Sequence, residues 1–487
     1  MASHPRLLPR SAPSAERLDA GGVLALLDRL EERSAECHSI MVVRHGSVIA
    51  EGWWAPYSPD RPHLLYSLTK SFISVAVGLA VSDGLLRLDD RVTDVLDDHV
   101  PAGLAPQARQ LSVRHLLAMT TGHRADTLAD AWALEPADLV KGFLRVPASD
   151  PVGTRHAYNN PTSFVLARMV ERVTGRSVPD LLDDRLFGPM GVEQAEWDRV
   201  ASGATFGFHG LHLTTEAVAA FGELLLRGGR WRGQQLVARE WLDLATRRHV
   251  ETLQFEDGGR PADWLQGYGY HFWMSRHGYR ADGAMGQYCL IIPEHDLVVA
   301  MTAAVTDMQA PLDAVWECLL PGVDRPGSSD DDQMVAERMR GLSLPRVSGG
   351  RGPRRSVSAV IDTPVIDVPV IDARAGVSVL PHGTSVVIDP ADGGWRVHLN
   401  TGTDVFTVDV GQDTWRESAP LGRPVVATGA WQGAAFVADI YMITSPSRVR
   451  LVVTAPQAVA TWNMVPLTGP DLVRQLRSPL MTRPDVA

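Results

Sequence analysis

Lysine is almost missing from this chain. It occurs twice in 487 residues, at Lys70 and Lys141, and every other basic side chain of that class is arginine. Cysteine is scarce as well. Cys37, Cys289 and Cys318 are odd in number and far apart, which excludes a disulfide scaffold and suits a reducing compartment. No apolar run approaches the roughly 18 residues of a membrane-spanning helix. The opening stretch, MASHPRLLPRSAPSAERLDAGG, lacks the apolar core of a secretory signal. No basic stripe stands out against a net charge of -11, and RGPRRS at Arg351–Ser356 reads as a solvated charge run in a linker. These absences predict a soluble, cytoplasmic protein with no nucleic-acid partner and no membrane partner.

What is present suits a globular chain of two or three domains, with 45% hydrophobic and 21% charged residues. Ala20–Glu32 reads as an amphipathic helix, and Ser39–Trp54 as a hairpin of two apolar strands about His45-Gly46. Ser67–Ser82 is apolar on nearly every side, which predicts a helix inside a core. Helices and loops dominate to about residue 245. Gly267–Met274, Gln287–Pro293 and Asp296–Ala304 then read as strands, the last two forming a hairpin, and Pro311–Leu320 as a closing helix. Strands at both ends with helices between them predict an α+β unit over residues 1–322, one antiparallel sheet flanked by helices with a mostly helical insertion. Residues 323–355 are linker-like. Val360–Asp372 repeats a Pro-containing unit that reads as an extended or edge segment. Evenly spaced alternating runs follow, predicting a second, all-β domain over residues 356–487, a small barrel or sandwich without a catalytic cluster.

One of the two lysines sits three residues after a serine, in LYSLTKSF. Ser67 and Lys70 therefore share a helix face, at a helix start whose free N–H groups suit a developing oxyanion. A serine hydroxyl needs a neighbouring base. A buried lysine gives up its proton more readily than arginine, so chemistry that needs a neutral amine explains why arginine does not stand here. Chance spacing is the competing explanation. Tyr158-Asn159-Asn160 precedes a helix opening with Pro161. Asn160 reads either as a helix cap or as an amide for a substrate carbonyl, and Tyr158 either as packing or as a proton carrier.

These motifs resemble the serine β-lactamase-like hydrolases: class C β-lactamases, D-alanyl-D-alanine carboxypeptidases, family VIII esterases and 6-aminohexanoate-dimer hydrolase. The likeness spans about residues 35–320. LYSLTKSF resembles the nucleophile motif, LSVRHLLAMTTGH (Leu111–His123) the helix before the active-site loop, and PVGTRHAYNN the tyrosine motif. HGLHLTTEAVAAFGELLLRGGRWRGQQLV (His209–Val237) and GYGYHFW also fit. The resemblance implies an acyl-serine intermediate on Ser67, Lys70 and Tyr158 as the proton-handling pair, and Asn160 near the substrate. It also implies an α/β sandwich with an all-α region, and a C-terminal barrel of lipocalin type. Relatives carry Lys-Thr-Gly or His-x-Gly on the strand facing the serine. Ala284-Met285-Gly286 aligns there, so the cation is missing while the glycine is kept. Gln287 is then expected to supply the second oxyanion N–H beside that of Ser67. The missing cation weakens the case for carboxylate-bearing substrates such as β-lactams, although Arg280 lies four residues upstream.

No Gly-x-Ser-x-Gly elbow exists, which argues against an α/β-hydrolase. The two histidines of HGLH lack a third ligand in a recognisable pattern, so no metal is expected, and no cofactor either. His123 lines the site or simply packs. Trp53, Trp54, Trp264 and Trp273 are candidates for an apolar acyl pocket or for core. The expected function is a serine hydrolase acting on a small-molecule ester, amide or thioester. Two alternatives stand beside it: an acyltransferase or peptide-cyclising thioesterase on the same scaffold, and a non-catalytic binding or sensing protein. The oligomeric state is left open.

Overall fold

The computed structural model of the chain describes residues 6–200, 203–252, 261–362 and 379–477. It divides into two compact units. The first holds Pro59–Leu342 with the chain before Trp54; the second joins Trp54–Ser58 to the described residues after Leu342.

Among the described residues, the main sheet of the first unit has six antiparallel strands: β1 (Glu36–Arg44), β2 (Ser47–Trp53), β3 (Trp273–Met274), β4 (Tyr279–Gly283), β5 (Gln287–Ile292) and β6 (Leu297–Ala304). Their order is β2-β1-β6-β5-β4-β3, so the N-terminal hairpin pairs with the last strand through contacts such as Val42 with Val299. Continuous apolar runs without alternation mean a sheet covered on both faces. Every residue of β5 and β6 is buried.

Helix α1 (Ala20–Glu32) covers the expected residues, and Asp19 caps it by accepting the Gly21 N–H at 2.9 Å. Helix α2 (Thr69–Ser82) is buried from Thr69 to Ala80, as an all-round apolar sequence requires. Helix α3 (Pro161–Thr174) packs against α2 and ends at Gly175 in the left-handed conformation. Helix α4 (Thr215–Leu226) lies on β1, β5 and β6. Short helices between Val92 and Met190 complete the helical region. The fold is the antiparallel sheet with flanking helices and an all-α region that the motifs imply.

Two expectations need correction. Of Gly267–Met274, only Trp273–Met274 pairs as a strand. The rest is a tight turn in which the Gly269 N–H donates to the Phe272 carbonyl at 2.8 Å. Its alternating aromatic residues are buried by a folded-back loop, and periodicity reports burial, not pairing. The predicted linker also contains a helix, α5 (Ser329–Arg340). Ser328 caps it by accepting the Asp331 N–H at 3.1 Å, and Asp330, Asp331 and Asp332 favour its N-terminal dipole. Val335 and Met339, one turn apart, are its buried face against β2.

The second unit is a closed eight-stranded barrel with one short extra strand, Arg416–Ser418. Closure comes from parallel pairing of Val357–Ile361 with Gln457–Trp462 and from the Gly411–Thr428 pair. Alternation decides its inside: Trp395, Val397 and Leu399 are buried, while Arg396 and His398 face outward. Trp395, Phe406, Trp431 and Phe436 belong to one apolar core. Most of the predicted extended repeat, residues 363–372, lies outside the described residues.

Candidate active site

Ser67 is placed by backbone pairing. The strand His63–Leu64 pairs with Leu211–Leu213, and the Leu65 N–H donates to the Leu211 carbonyl at 2.9 Å. Tyr66 then takes φ +47°, a left-handed conformation that a bulky residue adopts only when its surroundings impose it. A single 3-10 turn, Tyr66–Leu68, carries Ser67 into α2. Ser67 is half-buried amid a run of buried neighbours.

One helical turn on, Lys70 is 1% exposed. Its Nζ donates to Ser67 Oγ at 2.9 Å, Asn160 Oδ1 at 2.8 Å and the Phe208 carbonyl at 2.8 Å. Those three bonds match the three protons of an ammonium. Burial brings Lys70 down to about 7, with Asp126 and Asp282 partly opposing the shift.

Asn160 stands at the cap position of α3, but its side chain makes no cap bond. Its Oδ1 takes Lys70, and its Nδ2 donates to Asp126 Oδ2 at 2.6 Å. Asp126 also accepts the Asn160 backbone N–H at 3.0 Å. The neighbouring Asn159 accepts from the backbone and hydroxyl of Thr127. The loop at 123–127 is thus stitched to the tyrosine motif.

The Tyr158 ring stacks on Trp273 at 5.8 Å and an interplanar angle of 15°. Its centroid lies 4.8 Å from Lys70 Nζ. Burial holds the phenol above its ordinary range, and a hydrogen bond with the Ser67 side chain works against that rise. Tyr158 therefore stays protonated where Lys70 does not.

The strand pair opposite approaches closely because of glycine. A Cβ on Gly283 would sit 2.1 Å from the Leu65 carbonyl oxygen, so only glycine lets β4 pass beside the residues that lead into Ser67. Gly286 has φ +91° and faces Val305 and Ala303. Gln287 is fully buried. Its side-chain amide donates to the Ala284 and Ala303 carbonyls at 3.0 and 2.7 Å, fixing the Ala284–Gly286 turn against β6.

A cavity of about 480 Å³ opens at Ser67, with Tyr158, Trp264, Trp273, Asp282 and Ala284 among its walls. Of the tryptophans considered, Trp264 and Trp273 line it; Trp53 ends β2, and Trp54 belongs to the other unit. His123 is not in that lining. It is buried, with Nδ1 2.9 Å from Thr121 Oγ1 and Nε2 3.2 Å from the Val146 carbonyl, and its ring packs against Phe143. His209, next to Phe208, is buried against Phe206 and held to about 3 by burial, so it stays neutral. Arg280 does not reach into the cavity. It is fully buried, donates to Asp282 Oδ2 at 2.8 Å, and lies 4.4 Å from the Trp264 ring centroid.

Asp126, Asp282 and the Phe208 carbonyl were not anticipated from sequence. Arg280 and Asp282 did leave a signal. Residues two apart on a strand share a face, and an opposite-charge pair within a buried strand marks a deliberate ion pair.

Residues 25–315 match the Beta-lactamase family. The chain is 25% identical over 329 residues to 6-aminohexanoate-dimer hydrolase of Paenarthrobacter ureafaciens, an alignment covering 63% of this chain and 82% of that protein. It is 27% identical over 287 residues to penicillin-binding protein 4 of Amycolatopsis lactamdurans, covering 52% and 75%. Among solved structures it is similar to EstCE1, a hydrolase with promiscuous acyltransferase activity, with a TM-score of 0.51 and 16% identity over 62% of this chain and 99% of that one.

Proposed function

The chain belongs to the Beta-lactamase family, and from that premise we propose that it is a serine hydrolase that cleaves a small-molecule ester or amide through an acyl-enzyme on Ser67. The observation that carries this reading is the 2.9 Å contact between Lys70 Nζ and Ser67 Oγ, made by an amine whose burial leaves it near half-neutral at pH 7. Neutral Lys70 takes the Ser67 proton as Oγ bonds to the carbonyl carbon. The carbonyl electron pair becomes an oxyanion, held by the backbone N–H groups of Ser67 and Gln287. When the carbonyl re-forms, the bond to the leaving alcohol or amine breaks. Tyr158 gives that group its proton and is recharged by the Lys70 ammonium. Water then attacks the acyl carbon and loses its proton to the same pair; as the carbonyl re-forms, the bond to Oγ breaks and the pair returns that proton to Ser67 Oγ, freeing the acid.

The division of labour follows from burial acting oppositely on the two groups. It favours neutral lysine as base and neutral phenol as acid. Asn160 orients Lys70 through its Oδ1, while Asp126 holds its Nδ2. The aromatic walls, Trp264 and Trp273 with Tyr158, suit the bulky organic part of such a substrate.

The test is turnover of p-nitrophenyl esters by Lys70→Arg and Ser67→Ala. Each is expected to lose about 10³-fold or more of kcat/KM with the fold intact. Near-full activity in Lys70→Arg would remove the neutral-amine mechanism. Absence of any ester or amide turnover by the native chain, together with no labelling by a phosphonate probe, would favour a binding protein.

A further inference from the structure

The charges around the cavity are of two kinds, and they are arranged differently. The cations are turned away from it. Lys70 commits its three donor positions to Ser67, Asn160 and Phe208. Arg280 is fully buried, bound to Asp282, Ser275 and the Met274 carbonyl, and lies within 4.4 and 5.8 Å of the Trp264 and Trp273 ring centroids. The anions face inward. Asp282 lines the cavity from β4, one residue before the glycine that passes Leu65; its Oδ2 accepts from Arg280 Nε at 2.8 Å, and although burial pushes its carboxyl up, Arg280 and Lys70 beside it favour the ionised form. Asp307 lines the exposed mouth, with Oδ1 accepting the Gln309 and Ala310 N–H groups. Three aromatic rings, Tyr158, Trp264 and Trp273, line the same cavity. Aromatic faces combined with carboxylates attract an organic cation, because the ring quadrupole and the anions act with the same sign.

We propose that this cavity selects esters or amides carrying a quaternary or protonated ammonium group, with Asp282 as the residue that sets the preference and Asp307 assisting at the mouth. The proposal rests on Ser67 being the acylated nucleophile and adds the charge class of its substrate. It also explains the Ala284 turn. Where relatives place a cation for a substrate carboxylate, this cavity presents a methyl group beside a carboxylate, so an anionic substrate meets repulsion instead of a partner.

The test uses the full chain and two matched sets of esters. In the first, p-nitrophenyl esters carry an acyl chain ending in trimethylammonium, in its uncharged tert-butyl isostere, or in a carboxylate. In the second, butyrate is esterified to choline or to the uncharged carbon isostere of choline. The quantity read is the ratio of kcat/KM values within a set, which a change in the amount of folded enzyme does not move. The ammonium ester is expected to exceed its tert-butyl isostere by about tenfold in one of the two sets. The set that responds identifies which side of the scissile bond occupies the cavity. The carboxylate ester is expected to be the slowest of its set. Asp282→Asn should bring the ammonium ratio toward unity. Asp307→Asn, at an exposed position, should lower it part of the way and make it less sensitive to salt. Equal rates across both sets, a preference for the carboxylate ester, or ratios unchanged in both variants would overturn the proposal. Failure of every ester to acylate Ser67 would instead overturn the hydrolase reading on which it rests.

Discussion

The protonation state of Lys70 gives the mechanism a measurable pH dependence. A lysine at its ordinary value of 10.5 is neutral in only about one molecule in 3,000 at pH 7, a fraction that follows from the mass-action definition of the pKa. Burial brings Lys70 to about 7, so about half the molecules hold a neutral amine at that pH. The amine must be neutral to accept the Ser67 proton. The kcat/KM of a neutral ester should therefore rise about tenfold per pH unit below 7 and level off by about pH 8. The sign of one further perturbation is also set. The Asp126 charge favours the ammonium form, so Asp126→Asn should move the rising limb to lower pH. Because Asp126 also holds Asn160 at 2.6 Å, the plateau should fall as well, and the midpoint rather than the height is the quantity to read. The assay is initial-rate kcat/KM with a p-nitrophenyl ester from pH 5 to 9, corrected for spontaneous hydrolysis. A midpoint above pH 9, or an Asp126→Asn limb displaced to higher pH, would refute the reasoning.

Tyr158→Phe keeps the ring on Trp273 and removes only the hydroxyl, so turnover should fall by roughly 10²-fold with little change in Tm; unchanged turnover would return the residue to a packing role. Gly283→Ala pushes a Cβ to 2.1 Å from the Leu65 carbonyl. It should cost about 1–3 kcal/mol of stability through overpacking and slow acylation of the molecules that remain folded, as measured by Tm and by the burst rate. Gly103→Ala, whose Cβ would meet only the Arg145 side chain at 3.6 Å, serves as its control and should leave acylation alone.

The parts of the site legible in the sequence are those encoded by short spacing or by rarity. A lysine three residues from a serine, in a chain with two lysines, pointed to the pair that lies 2.9 Å apart. Tyr158 and Asn160 were legible as a motif, although its cap signal at Asn160 proved empty once Lys70 and Asp126 took the side chain. Contacts across the chain carry no such local trace. Asp126 lies 34 residues from Asn160, and the Phe208 carbonyl lies 138 residues from Lys70. Local pattern also misleads where burial and pairing part company. The aromatic alternation of Gly267–Phe272 is a turn, and His123 is held in a buried network instead of lining the cavity. The helix Ser329–Arg340 was legible in principle. A serine cap followed by three aspartates is a helix start, but its charge and polarity resemble those of a linker.

The most direct test of the account is the mass of the protein after incubation with a slowly deacylating ester. Quenched protein should gain the mass of one acyl group, and peptide mapping should place it on Ser67. Ser67→Ala should gain nothing and turn over no ester. An acyl group on another residue, or ester hydrolysis by Ser67→Ala at a rate comparable to the native chain, would contradict it.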